Sequence, residues 1–362
     1  MKVGTRQTLP LITAFLLFCG PVSTVSAADV AKEVIEFREL RGFVVGGLTF
    51  NSDGTQLATS GMLAAAEVHV WNWATRRANP RVLPMSSVAG AGNAICFSDD
   101  GALLAAGYRP DAQHGIIRVW NAQTWAGHDI VDLGPATQVM GIGFTPDGKL
   151  LIRTVDRAGR RTGNNIVANS TATLEAVWGL ETQPFVARTL ALSLDGQLAA
   201  VAGDTSTLGP EGPPITHHPE ILIIDISHRT VLRAISKAFP DNNQIQTLAW
   251  SADSRELAAG AIVGGSFTGP DAVRIFDVAS GKQILGETAT TALVSGLSYS
   301  RDGRYLIEGY LDGHVRIWDG AHRQLLQTIN VNDHFDTPLA ISRDSRYMAL
   351  GVGLDVSVWE LK

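Results

Sequence analysis

The chain has 362 residues, of which 45% are hydrophobic and 18% charged, and its mean hydropathy is +0.10. This composition excludes intrinsic disorder, and 37 Gly and 15 Pro without a Gly-X-Y period exclude collagen. Two cysteines are too few for a disulfide scaffold or a four-thiolate zinc site, and the formal net charge of −6 argues against a general nucleic-acid binder.

Residues 1–28 predict a secretory signal peptide. Lys2 and Arg6 form a basic start, and an apolar stretch of about ten residues follows, which is the usual length for such a signal. The alternative is a membrane anchor, which needs about twenty apolar residues. Pro10 and Pro21 bracket a segment too short for that, so the pattern favours export.

Small residues predict cleavage of this segment after Ala27 or Ala28. The mature chain then carries 27 basic and 35 acidic residues, a formal charge of −8, and Cys96 is its one cysteine. An exported protein with one cysteine has no internal disulfide, so packing must stabilise it. The sequence therefore predicts a periplasmic or secreted protein, bacterial in type, without stable membrane insertion after cleavage.

A seven-fold internal repeat occupies the mature chain. Each copy carries a turn of the form Asn/Ser/Thr-x-Asp-Gly/Ser, and the aspartates recur at spacings of 42 to 58 residues: Asp53, Asp100, Asp147, Asp195, Asp253, Asp302 and Asp344. Asp bonds its own backbone ahead and Gly accepts positive φ, which predicts a tight hairpin in each copy. Ser254 and Ser345 replace Gly in two copies, where strain is expected.

An alternating strand precedes each turn. It ends in Leu or Ile, a small residue and a large apolar residue, and the small residues are Thr49, Cys96, Gly143, Ala191, Ala249, Ser298 and Ala340. Small side chains there suit innermost strands crowded around a common axis. A third strand in each copy is predicted to end at Trp71-Asn72, Trp120-Asn121, Trp178-Gly179, Ile224-Asp225, Phe276-Asp277, Trp318-Asp319 or Trp359-Glu360.

The Phe-Ser-x-Asp-Gly hairpins and the Val-Trp-Asn and Ile-Trp-Asp strand ends resemble the WD-repeat (WD40) family across almost the whole mature chain. The resemblance implies an all-β fold, a seven-bladed β-propeller of four-stranded antiparallel blades, closed by an N-terminal strand. The family's Gly-His dipeptide before the innermost strand is absent from all seven copies, and Trp-Asp survives only at Trp318-Asp319. The buried His–Asp network of typical members is therefore expected to be missing.

The predicted organisation is a signal peptide over 1–28 and one propeller over 29–362. Its repeats are expected at approximately 43–86, 92–134, 138–186, 187–236, 244–289, 293–330 and 336–362. The last copy lacks a fourth strand, and 34–40, with Ile35 and Phe37 on one face, is expected to supply it beside the strand of Trp359. A short helix over Glu33, Glu36 and Glu39 is the alternative.

The loops between second and third strands share one face of such a ring with the inter-blade loops. The longest of these loops are predicted at 154–176 in blade 3, 204–220 in blade 4 and 261–272 in blade 5. We call this side the loop-rich face. Long loops on a rigid scaffold favour binding there, although tolerated surface insertion is the alternative.

Several polar residues in these loops are candidates for partner binding. Arg157, Arg160 and Arg161 form a basic patch that suits carboxylates or phosphates, or else a solvated loop. Asp333 and His334, between blades 6 and 7, form a second polar spot or an ordinary exposed turn.

The segment His217-His218-Pro219-Glu220 has the residue types of a metal site. Neighbours in an extended segment point to opposite sides, however, and no further ligand has a fixed spacing nearby. We therefore predict His217, His218 and Glu220 as partner-binding residues, with no metal and no cofactor. Asn169-Ser170-Thr171 is a glycosylation sequon, and Cys96 is expected to be buried and inert rather than reactive.

Motifs of catalysis are missing from the sequence. The seven innermost strands contain no Asp, Glu or His, the residues that propeller hydrolases and lyases bring to their central channel. The prediction is therefore a non-catalytic protein-interaction scaffold that docks a protein partner, and no nucleic acid, on the loop-rich face of blades 2 to 5. The alternative is a periplasmic enzyme or small-ligand binder of the lactonase or lyase kind, with a site built from loops.

Overall fold

The computed structural model describes residues 29–38, 43–63, 67–76, 79–85, 91–109, 115–130, 137–157, 165–209, 212–262, 273–286, 293–321, 323–331 and 338–362. These residues form seven four-stranded antiparallel sheets and one 3-10 turn at Trp73–Thr75. The fold is the predicted all-β, seven-bladed propeller.

The strands of the first four blades run from the channel outward. Blade 1 comprises β2 (Phe43–Phe50), β3 (Leu57–Leu63), β4 (Glu67–Trp71) and β5 (Arg81–Pro84). Blade 2 comprises β6 (Ala91–Phe97), β7 (Leu103–Arg109), β8 (Ile116–Asn121) and β9 (Gly127–Ile130). Blade 3 comprises β10 (Thr137–Phe144), β11 (Leu150–Arg157), β12 (Ile166–Ser170) and β13 (Ala176–Leu180). Blade 4 comprises β14 (Val186–Leu192), β15 (Leu198–Gly209), β16 (Gly212–Asp225) and β17 (Thr230–Ser236).

The remaining blades follow the same order. Blade 5 comprises β18 (Gln244–Trp250), β19 (Glu256–Ile262), β20 (Val273–Asp277) and β21 (Gln283–Gly286). Blade 6 comprises β22 (Val294–Tyr299), β23 (Tyr305–Tyr310), β24 (His314–Asp319) and β25 (Leu325–Asn330). Blade 7 comprises β26 (Leu339–Ile341), β27 (Tyr347–Val352) and β28 (Asp355–Leu361), and its fourth strand is β1 (Ala31–Arg38).

The N-terminal strand closes the ring, as predicted. β1 pairs antiparallel with β28 from Ala31↔Leu361 to Arg38↔Asp355, with a bulge between Glu33 and Ile35. The strand therefore starts three residues earlier than expected, and no helix forms at Glu33. The innermost strands of neighbouring blades contact one another around the whole ring, and β26 contacts β2.

The hairpins are stabilised by the side chains that the repeat shares. In blade 2, the Ser98 hydroxyl donates to Asp100 Oδ1 at 2.6 Å, while the backbone N–H of Leu103 donates to Ser98 Oγ at 2.9 Å. The same hydroxyl–carboxylate bond recurs in blades 3 to 7. The hydroxyl of Ser98, with the N–H of Ala102, holds the pKa of Asp100 below its usual value, so this carboxylate stays ionised.

The two serines that replace hairpin glycines adopt the left-handed backbone, with φ of 59° at Ser254 and 60° at Ser345. We expect Ser254→Gly to raise the free energy of unfolding by about 0.5–1 kcal/mol, because relief of the left-handed strain exceeds the added freedom of the unfolded chain. Urea denaturation measures this change. A lower stability of Ser254→Gly would contradict the strain argument.

Two other hairpins supply the controls for that substitution. Gly303→Ser, at φ 74° and with its new Cβ in ordinary van der Waals contact with Ala252 Cβ at 3.5 Å, is expected to lower stability by a similar amount. Ser345→Gly is expected to raise the free energy of unfolding by less than Ser254→Gly does. The Ser345 hydroxyl is buried and accepts a hydrogen bond from the backbone N–H of Asp302 at 3.2 Å, which links blades 6 and 7.

Small residues on the innermost strands are required by the approach of the next blade. A Cβ on Gly143 would come within 3.1 Å of Leu192 Cδ1, which is tighter than ordinary packing. Side chains at the equivalent positions also bond across blades, since Thr49 Oγ1 accepts from the backbone N–H of Phe97 at 3.5 Å. The small residues recur in the sequence because the innermost strands of neighbouring blades lie close together around the axis.

Blade 3 departs from the prediction. Its third strand is β12, and Trp178 lies in the fourth strand β13, so the predicted third-strand end at Trp178-Gly179 and the long loop over 154–176 are wrong. In blade 1, Trp71 of the third strand pairs with Leu57 of the second strand. At the equivalent position of blade 3, Asn169 pairs with Leu151. The buried Arg153 donates to Asn169 Oδ1 through Nε at 3.0 Å, so a polar pair replaces the aromatic residue.

The place of Asn169 in β12 also argues against glycosylation at the sequon. Asn169 is 2% exposed, and its amide nitrogen donates to the carbonyl of Leu174 at 2.8 Å. The turn that follows lies beside the hairpin of blade 3, because the Thr171 hydroxyl donates to the Gly148 carbonyl at 2.7 Å. Asn169 therefore serves the fold of blade 3.

Blade 4 departs from the prediction in a second way. The loop expected over 204–220 is a β-ribbon, because β15 and β16 stay paired from Asp204↔Pro219 to Leu208↔Ile215. β14 pairs with β15 no further than Asp204, and β17 pairs with β16 no further than Glu220. The ribbon, which we define as residues 205–209 and 212–218, therefore projects beyond the body of the blade.

Candidate functional site

A recurring bulge places one residue of five innermost strands in the lining of the channel. The pairing of innermost and second strands shifts register at one residue in blades 1, 3, 4, 5 and 6, and the residues skipped are Gly46, Met140, Arg188, Gln246 and Ser295. Each lies seven positions before the hairpin aspartate of its blade. All five line one cavity at the mouth of the channel.

This cavity has a volume of about 270 Å³ and also contacts Thr189, Ile245, Ile262 and Pro338. It lies at the start of the innermost strands, on the same face as the ribbon, because β15 runs antiparallel to β14 and ends beside its beginning. Among the described residues that line it, Arg188 carries the one formal charge. We call this cavity the channel mouth.

Arg188 is held by a buried carboxylate. Its Nε donates to Asp204 Oδ1 at 2.5 Å, and the Asp204 side chain is 4% exposed. The other oxygen of Asp204 lies 2.7 Å from His217 Nδ1. Because an ionised carboxylate can only accept, Nδ1 of His217 carries the proton, and Asp204 joins the channel mouth to the base of the ribbon.

The base of the ribbon is tied to the turn that leads into blade 5. The backbone N–H of Asn242 donates to the His217 carbonyl at 2.7 Å, and the His217 N–H donates to Asn242 Oδ1 at 3.1 Å. On the other side of the ribbon, His218 Nδ1 lies 2.9 Å from Asp241 Oδ1. Glu220 accepts a bond of 2.5 Å from the Ser236 hydroxyl.

The two histidines therefore lie on opposite sides of β16, each against its own carboxylate. No group of three or more His, Cys, Asp or Glu in the described part of the chain has the arrangement of a metal site. What the geometry offers is a rigid ribbon base with hydrogen-bonding side chains on both faces. His217, at 35% side-chain exposure, is open to a partner on the side of the channel.

The other predicted site residues are not brought together by the described structure. Arg157 ends β11, and its side chain lies outside the description. Arg160 and Arg161 of the basic patch, and Asp333 and His334 of the second polar spot, lie outside the described residues. These four residues and the side chain of Arg157 stay predictions.

The opposite end of the channel is bridged by an ion-pair clamp. Arg301 of blade 6 reaches Asp99 of blade 2 with Nη2 at 2.6 Å from Oδ1 and Nη1 at 3.1 Å from Oδ2. Arg343 of blade 7 donates to the Asp99 carbonyl, and its Nη2 lies 3.5 Å from Asp99 Oδ2. Both arginines and Asp99 line a smaller cavity of about 120 Å³ there.

The Cys96 thiol has no catalytic setting. It is unpaired and half-buried, and burial raises its pKa to about 12, although the backbone N–H of Phe144 opposes this. A thiol with such a pKa is neutral at physiological pH and is a poor nucleophile. This agrees with the inert role expected of the small position on β6.

Sequence reasoning missed the residues of the channel mouth. Carboxylates and imidazoles on innermost strands indicate a catalytic channel, and an arginine or a glutamine at the bulge gives no such signal. A signal was nevertheless present, because the bulge residue keeps a constant distance of seven positions from the hairpin aspartate. The sequence predicts Asp204 as the first residue of a loop, whereas it is a buried strand residue that positions Arg188.

Comparison with known proteins agrees with the propeller fold. The family described as "WD domain, G-beta repeat" matches residues 86–121, which include the first three strands of blade 2, and residues 282–319, which include the last strand of blade 5 and the first three of blade 6. No curated protein matches the chain. Two matched repeats within a ring of seven four-stranded blades support a WD40-type propeller. No helix in the described ranges has the length and apolar character to cross a membrane.

Proposed function

We propose that this protein is an exported, non-catalytic interaction scaffold that docks a protein partner on its loop-rich face. WD40-type propellers typically act as protein-interaction scaffolds and are usually non-catalytic. The observation that carries the proposal is the ribbon, anchored by His217 and His218 beside the open channel mouth. Both features lie on the loop-rich face, whereas the clamp of Asp99 bridges the other end.

The hydrogen bonds at the base of the ribbon support docking. Its base is held by backbone and side-chain bonds to the turn at Asp241 and Asn242. Binding to a ribbon whose base is already ordered costs less conformational entropy than binding that must order a loop of the same length. The ribbon and the channel mouth together form an edge beside a concavity, which is a shape suited to a protruding segment of another protein.

Export is the second component of the proposal, and residues 1–28 carry it. Their basic start, apolar stretch and small residues before the cleavage position follow the pattern of a secretory signal. The direct measurement is the N-terminal residue of the protein purified from its source cells. An N-terminus at Ala28 or Asp29 in the exported fraction is expected, and an uncleaved chain in the cytoplasm would overturn this component.

The experiment on docking compares the intact chain with a ribbon variant. In the variant, an Asn-Gly turn replaces residues 207–216, which keeps the Ser206↔His217 pair and both His–Asp contacts. After in-cell crosslinking and affinity capture, we expect one specific partner with the intact chain and its loss with the variant. Equal urea midpoints would show that the ribbon variant is folded, and equal capture by both chains would overturn docking on the ribbon.

A small-ligand binder is the second candidate function, and the channel mouth favours it. A cavity of about 270 Å³ that holds one arginine and several uncharged polar groups has the size and lining of a small-molecule site. Native mass spectrometry of the purified protein tests this candidate. A bound small molecule that leaves on denaturation would support it, and a mass equal to the chain alone would favour the scaffold.

A further inference from the structure

We infer that the channel mouth is a carboxylate-binding site with Arg188 as its anion-contacting residue. The inference deepens the proposed function, because it names the chemical group that the loop-rich face recognises, and it rests on that proposal. The carboxylate belongs either to a partner, as a chain terminus or an acidic side chain, or to a free small acid.

Asp204 fixes Arg188 in one orientation and leaves the two terminal nitrogens of the Arg188 guanidinium available. The bond of 2.5 Å uses Nε, and neither terminal nitrogen bonds another residue in the part of the chain that the structure describes. Arg188 is nevertheless only 25% exposed and lines the channel mouth. Two parallel N–H groups at the end of a guanidinium match the two oxygens of a carboxylate.

The charges around Arg188 favour a monoanion. Asp204 lies behind the guanidinium in the blade, and its second oxygen is occupied by His217, so its charge is shared by two donors. The described residues lining the channel mouth include no carboxylate that would repel an anion. A dianion such as phosphate would bring a second negative charge towards the buried Asp204, whereas a carboxylate brings one.

The rest of the lining suits a short organic acid. Gln246, Ser295 and Thr189 supply hydrogen-bonding side chains, and Met140 and Ile245 supply apolar surface. A cavity of this kind holds a carboxylate together with a small neighbouring group such as an amide or a methyl. N-acetylglycine has both parts and resembles the end of a peptide chain, so it is the probe of choice.

The test measures binding of N-acetylglycine to the mature protein by calorimetry or by ligand-observed NMR. Its matched probes are N-acetylglycinamide, which lacks the charge, and inorganic phosphate, which adds one. We expect the acid to bind and both matched probes to bind at least tenfold more weakly, about the factor that one charge-assisted contact supplies. Equal binding of the amide, or tighter binding of phosphate, would overturn the carboxylate assignment.

Three variants locate the site. Arg188→Gln is expected to weaken binding of the acid at least tenfold, and the double variant Arg188→Gln with Asp204→Asn does the same without a stranded buried carboxylate. The double variant keeps the test valid where the single one unfolds. Arg255→Gln, an exposed arginine on the hairpin face, is the control and is expected to bind like the wild type. Unchanged affinity in the folded double variant would overturn the role of Arg188.

Competition separates the two sources of the carboxylate from the docking proposal. Release of the captured partner by N-acetylglycine assigns the channel mouth to the partner's own carboxylate. Binding of the acid with the partner retained assigns it to a free small acid, and either result supports the site. If the wild type captures a partner but does not bind N-acetylglycine, this inference alone is overturned. If the wild type binds N-acetylglycine but captures no partner, the docking proposal alone is overturned.

Discussion

A chain that begins at residue 43, and so lacks β1, is expected to lose at least about 5 kcal/mol of unfolding free energy. Truncation of one large apolar core residue costs roughly 3–5 kcal/mol, and β1 contributes several, including Phe37, whose ring centroid lies 4.3 Å from that of Trp71. Its removal also exposes the unpaired edge of β28, which invites association between molecules. Urea denaturation and size-exclusion chromatography measure the two effects.

The matched control for this truncation begins at residue 29 and keeps β1. It is expected to denature at the same urea concentration as the full-length chain and to elute as the same species. The comparison separates ring closure from the loss of the N-terminal 28 residues. Equal stability of the chains beginning at 29 and at 43 would contradict closure by β1.

Replacement of Asp204 by asparagine is expected to lower the unfolding free energy by about 2–4 kcal/mol. The carboxylate is 4% exposed and accepts bonds from both Arg188 and His217. Its loss leaves the partly buried guanidinium of Arg188 without a counter-charge, and removal of one member of a buried pair is costly for that reason. Denaturant unfolding of Asp204→Asn against the wild type measures the change.

The second Asp–His contact of the ribbon base supplies the control for that variant. Asp241 bonds His218 at 2.9 Å, but its side chain is 50% exposed, and exposed pairs contribute about 0–1 kcal/mol. Asp241→Asn is therefore expected to change stability little. Similar losses in the two variants would show that burial of Asp204 is not the cause of its effect.

The overall architecture could be predicted because the same kind of hairpin turn recurs seven times in the sequence. An Asn, Ser or Thr two residues before Asp, and Gly or Ser after it, builds the hairpin from neighbouring residues alone, so the turn is visible without knowledge of distant contacts. The closing strand was predictable for a related reason. A last repeat that stops after its third strand leaves one edge open, and Ile35 and Phe37 supply the apolar face that the edge requires.

The third strand of blade 3 and the ribbon of blade 4 could not be predicted in the same way. Asn169 takes the place of an aromatic residue and is stable there because Arg153, distant along the chain, bonds to it. The ribbon has no alternating apolar pattern, since its two strands pair with each other outside the core. The alternation of apolar residues predicts a strand only where one face of the strand packs on an apolar core. Neither Asn169 nor the ribbon provides such an apolar face.

The candidate site was predicted in part. His217, His218 and Glu220 do lie at the base of a projecting element on the loop-rich face, and the opposite directions of the two histidines follow from strand geometry. Their partners Asp204, Asp241 and Asn242 come from another strand and from the turn before blade 5, which only the fold brings near. Arg188 was overlooked because its importance depends on the bulge.

The bulges separate the chemistry of the channel from the integrity of the fold. A bulged residue is skipped by the strand pairing, so its side chain is outside the alternation that packs one blade on the next. The five described positions hold a glycine, a methionine, an arginine, a glutamine and a serine without any change of architecture. Substitutions at the four positions other than Arg188, which is paired with the buried Asp204, can therefore alter ligand preference while the cost to folding stays small, which makes the ring of bulges a natural place for new specificities to arise or to be designed.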